Sequence, residues 1–147
     1  PFCKRAAETM VELDAAFPGK IRFVWRNMPL PFHKNAMPSA LAAMEAWKQK
    51  GPEGFWAVHD HFFKDQTQLD RAGIEKTASD VGLDVGKVLA AVDGETYKAL
   101  IEADRKIAEG AKITGTPGFV INGYLISGAQ PLTKFKKIVA RALAEAK

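Results

Sequence analysis

Cys3, Ala6, Met10, Leu13 and Phe17 recur at steps of three and four, an apolar stripe of helical period with polar residues between. The spacing predicts a first helix that ends at "FPGK", where Pro18 cannot continue it and Gly19 lies just past the last apolar residue. Cys3 then falls in the first turn, on the stripe, with its thiol facing inward. The pattern changes at "KIRFVWRNMPL", which is dense in β-branched and aromatic residues and predicts a strand from Ile21 to Arg26. A helix followed tightly by a strand is half of a crossover unit. "PLPFHKNAMP" is a proline-punctuated loop.

From there to Ala111 the pattern is helical throughout. "SALAAMEAWKQKG" is one helix, with Leu41, Met44 and Trp47 as its larger apolar positions. "GPEGFWAVHDHFFKD" is the next, with Phe55, Val58, Phe62 and Phe63 on one face. Two shorter helices, "DRAGIEKTASDVGLD" and "VGKVLAAVDG", precede a long amphipathic one marked by Tyr97, Leu100, Ile101 and Ile107. The final third alternates differently. "GFVI" and "YLIS" are short apolar runs joined by Asn122-Gly123, the strongest short hairpin signal because both turn positions tolerate positive φ. A terminal helix follows, with Pro131 at its start and Leu132, Phe135, Ile138, Val139 and Leu143 along one face. The order is helix, strand, a block of helices, hairpin, helix, with no internal repeat.

Composition narrows the picture only slightly. The 147 residues suit one globular domain, and no apolar run approaches the roughly 20 residues that span a bilayer. No basic-then-apolar leader is present in the sequence. The net charge of +4 comes from Lys and Arg interleaved with acids, without the aromatic-basic pattern of a nucleic-acid surface, so nucleic acid is not an expected partner. His59 and His61 point different ways on a helix, which argues against a metal pair. Neither a metal nor a cofactor is implied. His33 is read as bracing its loop. "GKVLAAVDG" lacks the spacing of a phosphate loop.

The chemistry lies in two short stretches. Cys3, the only cysteine, follows Pro1 and Phe2 at a helix start. A residue placed before Pro1 would sit at the N-cap, at the positive end of the helix dipole, where a thiol converts most readily to thiolate. "TGTPGFVING" sets Thr116-Pro117 just before a strand, where proline is confined to an edge or to the first strand position and where a cis bond is plausible.

In these stretches the sequence resembles the DsbA-like thiol–disulfide oxidoreductases of the thioredoxin superfamily. "PFCKRA" is similar to the tail of their Cys-Pro-Phe-Cys motif. "LPFHKNA", "HDHFFKDQTQLD" and "GTPGFVINGYLISGAQP" resemble their post-strand loop, helical insertion and cis-proline hairpin, so the likeness covers nearly the whole chain. It implies an α/β thioredoxin-like fold in one domain, with a core over residues 1–32 and 113–147 and an all-helical insertion over residues 33–112. It makes Cys3 the resolving thiol and Pro1 and Phe2 the dipeptide that tunes the pair. Thr116 and Pro117 match the residues that pack against the thiols and dock an extended substrate. The partners implied are cysteine-containing protein substrates and a redox protein that recycles the dithiol, in the periplasm or an equivalent exported setting.

The departure from the family is the first cysteine, which would precede Pro1, and the strand leading into it. The expectation is therefore a fragment, inactive alone as a dithiol catalyst, with a slot between residues 21–26 and the hairpin that another segment or chain fills. Two other readings compete: a redox-dead module that binds peptides along Thr116-Pro117, and a relative of the kappa glutathione transferases and isomerases. The resolving position of Cys3 argues against the second.

Overall fold

The computed structural model describes residues 1–146. Its elements are α1 (Phe2–Ala16), α2 (Ala36–Lys64), α3 (Arg71–Asp80), α4 (Val85–Asp93), α5 (Lys98–Gly110), β1 (Gly118–Ile121), β2 (Tyr124–Ser127) and α6 (Leu132–Glu145). The chain divides into two compact units. The first joins Pro1–Arg26 to the chain from Arg105 onward, and the second is Asn27–Asp104.

The first unit is built on the hairpin. β1 and β2 pair antiparallel with Phe119 opposite Ile126 and Val120 opposite Leu125. Asn122 and Gly123 take φ of 45° and 92°, the left-handed turn that their residue types favour. Pleating sends alternate residues to opposite faces, so Phe119 and Ile126 turn to the core while Val120 and Leu125 stay exposed. Leu13 of α1, Ile126 of β2, and Phe135 and Val139 of α6 form the buried cluster, with Met10, Phe17 and Ile21 packed against it. The Phe119 and Phe135 rings meet edge to face, with centroids 4.9 Å apart.

The second unit is helical. Ala42, Ala43 and Ala46 of α2 pack with Phe55, Val58 and Phe62 further along the same helix and with Ile74, Ala78 and Val88 of α3 and α4. α2 contains the two helices read separately from the sequence. They meet at Gly51, whose φ of 62° and ψ of −149° only glycine adopts readily, and Pro52 opens the second segment, where a missing N–H costs nothing. Asp70 and Asp84 cap α3 and α4 by accepting from Gly73 N and Lys87 N.

Four expectations are corrected. Residues 21–26 form no strand, because a strand needs a ladder and the sheet holds only β1 and β2 among the described residues. Phe23, Val24 and Trp25 of that segment are exposed. Trp47 is half exposed, since the small Ala42, Ala43 and Ala46 bring the helices close instead. In α5 the inward stripe runs through Ile101 and Ala108, and Leu100 and Ile107 face solvent. Leu143 is likewise exposed, with Ala142 on the buried side of α6.

Candidate functional site

Cys3 stands in the first turn of α1, after Pro1 at the N-cap, and Arg5 N donates to Pro1 O at 3.1 Å to close that turn. The helix has no side-chain cap and no acidic residue in its first turn. The thiol is half-buried rather than fully inward, because the buried stripe of α1 starts one turn later at Ala6 and Leu13. Phe2 is exposed, with the Arg5 guanidinium 5.4 Å from its ring centroid.

Thr116 and Pro117 lie at the entry to β1, in the same unit as Cys3. Their peptide bond is cis. The Pro117 carbonyl accepts from Gly128 N at 2.8 Å, which extends the hairpin's pairing by one step past Gly118 opposite Ser127. Gly118 is required by close approach: a Cβ there would lie 2.6 Å from Ile113 Cγ2. Thr116 is exposed, and Pro117 is half-buried. α1 and the hairpin that carry these residues share one core, the cluster of Leu13, Ile126, Phe135 and Val139. Pro1, Phe2 and Cys3 thus form one contiguous group and Thr116-Pro117 another, each on an element anchored in that core.

The contacts of several other polar groups were not legible in the sequence. In the second unit Glu45 is buried, accepting from Tyr97 Oη and, at 2.9 Å, from Gln49 Nε2. Burial and the Glu45 carboxylate push the Tyr97 phenol up to about 12. These side chains line an open cleft of about 460 Å³ with Lys48 and Lys87 at its edge. His59 sits among the Phe55, Trp56 and Phe63 rings with Nδ1 2.8 Å from Asp60 Oδ1. Its burial holds it below the ordinary histidine range, against the opposing pull of Asp60. A glutamate and a histidine on helix stripes were the available signals, and neither pattern separates a buried network from a wet face. His61 pairs with Asp80 at 3.2 Å. Among the described residues no cluster of three or more His, Cys, Asp or Glu side chains is placed to hold a metal ion.

The sequence model of the family described as Thioredoxin matches residues 1–141. A sodium/proton antiporter, NhaA 1 of Salinispora arenicola, is 30% identical over 145 residues, covering 98% of this chain and 22% of that protein. The chain thus spans about a fifth of the length of the curated relatives it matches. Among solved structures, a thioredoxin-like oxidoreductase from Silicibacter pomeroyi superposes with a TM-score of 0.85 at 26% identity, over 98% of this chain and 80% of that one. The thiol-disulfide exchange protein alpha-DsbA2 from Wolbachia pipientis gives 0.81 at 19% identity, over 95% of this chain and 74% of that one. At that identity the likeness speaks of the fold alone.

Proposed function

This chain belongs to the thioredoxin family and has its DsbA-like fold, and on that premise we propose that it serves thiol–disulfide exchange with cysteine-containing proteins, Cys3 acting as the resolving thiol. The observation that carries the reading is the position of Cys3. The chain's one sulfhydryl stands in the first turn of α1, directly after Pro1 and Phe2, the order that the second thiol of the Cys-Pro-Phe-Cys motif it resembles would have.

In the intact protein a cysteine before Pro1 would supply the attacking thiolate. That thiolate attacks one sulfur of a substrate disulfide, forming a mixed disulfide with it and releasing the other sulfur as a thiolate. Cys3, deprotonated, then attacks the attacking cysteine's own sulfur. The enzyme disulfide closes, the second substrate sulfur leaves as thiolate, and two electrons have passed from the enzyme's pair to the substrate. Run in reverse, the same steps oxidise a substrate dithiol. Pro1 and Phe2 tune the pair. Thr116, exposed beside β1, and Pro117 dock an extended substrate segment in strand fashion. A separate redox protein resets the dithiol, and the setting is an exported, oxidising one where such exchange has substrates. Another segment or chain supplies the strand that lies beside residues 21–26. No cofactor enters the reaction.

The test is insulin reduction and oxidative refolding by the natural full-length protein beside its variants. Cys3→Ser is expected to abolish turnover and to accumulate mixed disulfide, and Pro117→Ala to weaken substrate capture. Activity unchanged in both variants rules the reading out. The 147-residue chain, with one cysteine, is expected to show no dithiol turnover.

The antiporter relatives favour a second reading of context, in which this domain travels on a longer membrane protein and acts beside the carrier. Fractionation of the natural protein decides it: recovery in the membrane pellet after a salt wash supports the reading, and recovery in the soluble fraction overturns it.

A further inference from the structure

Two helices of the second unit turn matching faces to one cleft. Glu45, Lys48 and Gln49 on α2 follow the spacing i, i+3, i+4 that puts three side chains on one side of a helix. Lys87, Ala90 and Ala91 on α4 repeat that spacing, and both sets line the opening of about 460 Å³. Gln49 ties the two walls together at the N-cap of α4. Its Oε1 accepts from Asp84 N at 2.8 Å, and its Nε2 donates to Asp84 O at 3.3 Å. With the bond from Tyr97 Oη to Glu45, this amide holds the polar lining in place before any ligand arrives.

The charges of the cleft are set apart. Glu45 is 7% exposed, whereas Lys48 and Lys87 stand in solvent. The Lys87 ammonium lies 3.5 Å from Asp84 in an exposed contact of the kind that contributes little and yields readily to a better partner. Glu45 has one donor on each oxygen, Tyr97 Oη and Gln49 Nε2, and a carboxylate oxygen can accept a second. Ala90 and Ala91 give the lining an apolar strip. From this geometry we infer that the cleft binds a small zwitterion with an apolar body, of the class of a free aliphatic amino acid. The ligand's carboxylate meets the Lys48 and Lys87 ammonium groups, its ammonium donates to Glu45, and its aliphatic chain covers Ala90 and Ala91. A bare anion answers the lysines but sets a like charge near Glu45, and a bare cation does the reverse. The site uses neither Cys3 nor Pro117, so it stands apart from thiol exchange.

The test is an NMR titration of the isotopically labelled full chain with leucine, with isocaproate, which lacks the ammonium, and with isoamylamine, which lacks the carboxylate. Leucine is expected to shift the amides of Lys48, Ala91 and Thr96 with a Kd on the order of 1 mM, and each truncated ligand to bind roughly 10-fold more weakly. Lys48→Ala and Lys87→Ala are each expected to weaken leucine by roughly 3- to 10-fold while leaving isoamylamine as it was. Glu45→Gln should weaken leucine and isoamylamine and spare isocaproate. Absence of leucine shifts at these amides up to roughly 20 mM overturns the site. Equal affinity for the three ligands also overturns it, as an unselective apolar contact, and tighter binding of isocaproate than of leucine overturns it as an anion site. Should Glu45→Gln not fold, the lysine variants decide. Loss of leucine's advantage over isoamylamine when both lysines are replaced supports the site, and an advantage retained overturns it.

Discussion

Glu45 keeps only 7% of its surface in solvent, and its two oxygens are held by different donors, Tyr97 Oη on one and Gln49 Nε2 on the other. Removing one donor leaves a buried carboxylate oxygen short of a partner, which costs about 1–3 kcal/mol. Tyr97→Phe is therefore expected to lower unfolding free energy by that amount at neutral pH, read by denaturant titration. The same pair sets an alkaline limit. Because the folded Tyr97 pKa is raised to about 12, its contribution is full below the unfolded value near 10 and is lost as pH rises toward the folded one. The wild-type curve should fall over that window, and Tyr97→Phe should lack that component. His59 works in the opposite sense. Its folded pKa lies below the ordinary histidine value of about 6.5, so the unfolded chain takes up the proton first, and stability drops as pH falls below that value. His59→Phe should flatten the acid limb of stability against pH, and an unchanged limb would assign that limb to the carboxylates.

The break inside α2 shows what an element owes to one residue. No atom lies within 4 Å of a Cβ placed on Gly51, so a side chain there meets no obstacle but its own backbone, held at φ of 62° and ψ of −149°. Gly51→Ala is expected to cost about 1–3 kcal/mol, measured by thermal or denaturant unfolding, as backbone strain alone. A neutral result would mean the two segments of α2 straighten instead. Asp70 caps α3 through Gly73 N at 2.9 Å, and Asp70→Ala should cost about 1 kcal/mol in the same assay. The α2 break was legible in the letters as Gly-Pro between two apolar stripes, and the hairpin as Asn-Gly between two apolar runs. Residues 21–26 were not. Their β-branched and aromatic types favour an extended backbone, but a strand also needs a partner, and composition says nothing of whether one is there. Trp47 misled for a related reason: periodicity marks a face, while the alanines on α2 decided which side packs closely.

Each of the two units carries a core of its own, so its stability is open to separate attack. Cys3 and Thr116-Pro117 were readable as positions, one by helical period and the other by the proline before an apolar run. Which elements anchor them was not, since Leu13, Ile126 and Phe135 are more than a hundred residues apart at their extremes and no local pattern pairs them. Asp104 was a charge on an apolar stripe, a local oddity whose partner lies 77 residues away. Phe135 is fully buried in the first core and Ile74 is 1% exposed in the second. Truncating either to alanine should cost about 2–5 kcal/mol, with Phe135 toward the upper end. If the units open separately, Phe135→Ala will erode hydrogen-exchange protection at Leu13 and Val139 while Val58 and Ala78 keep most of theirs, and Ile74→Ala will do the reverse. Equal loss at all four sites in either variant would mean instead that the two cores melt as one cooperative body.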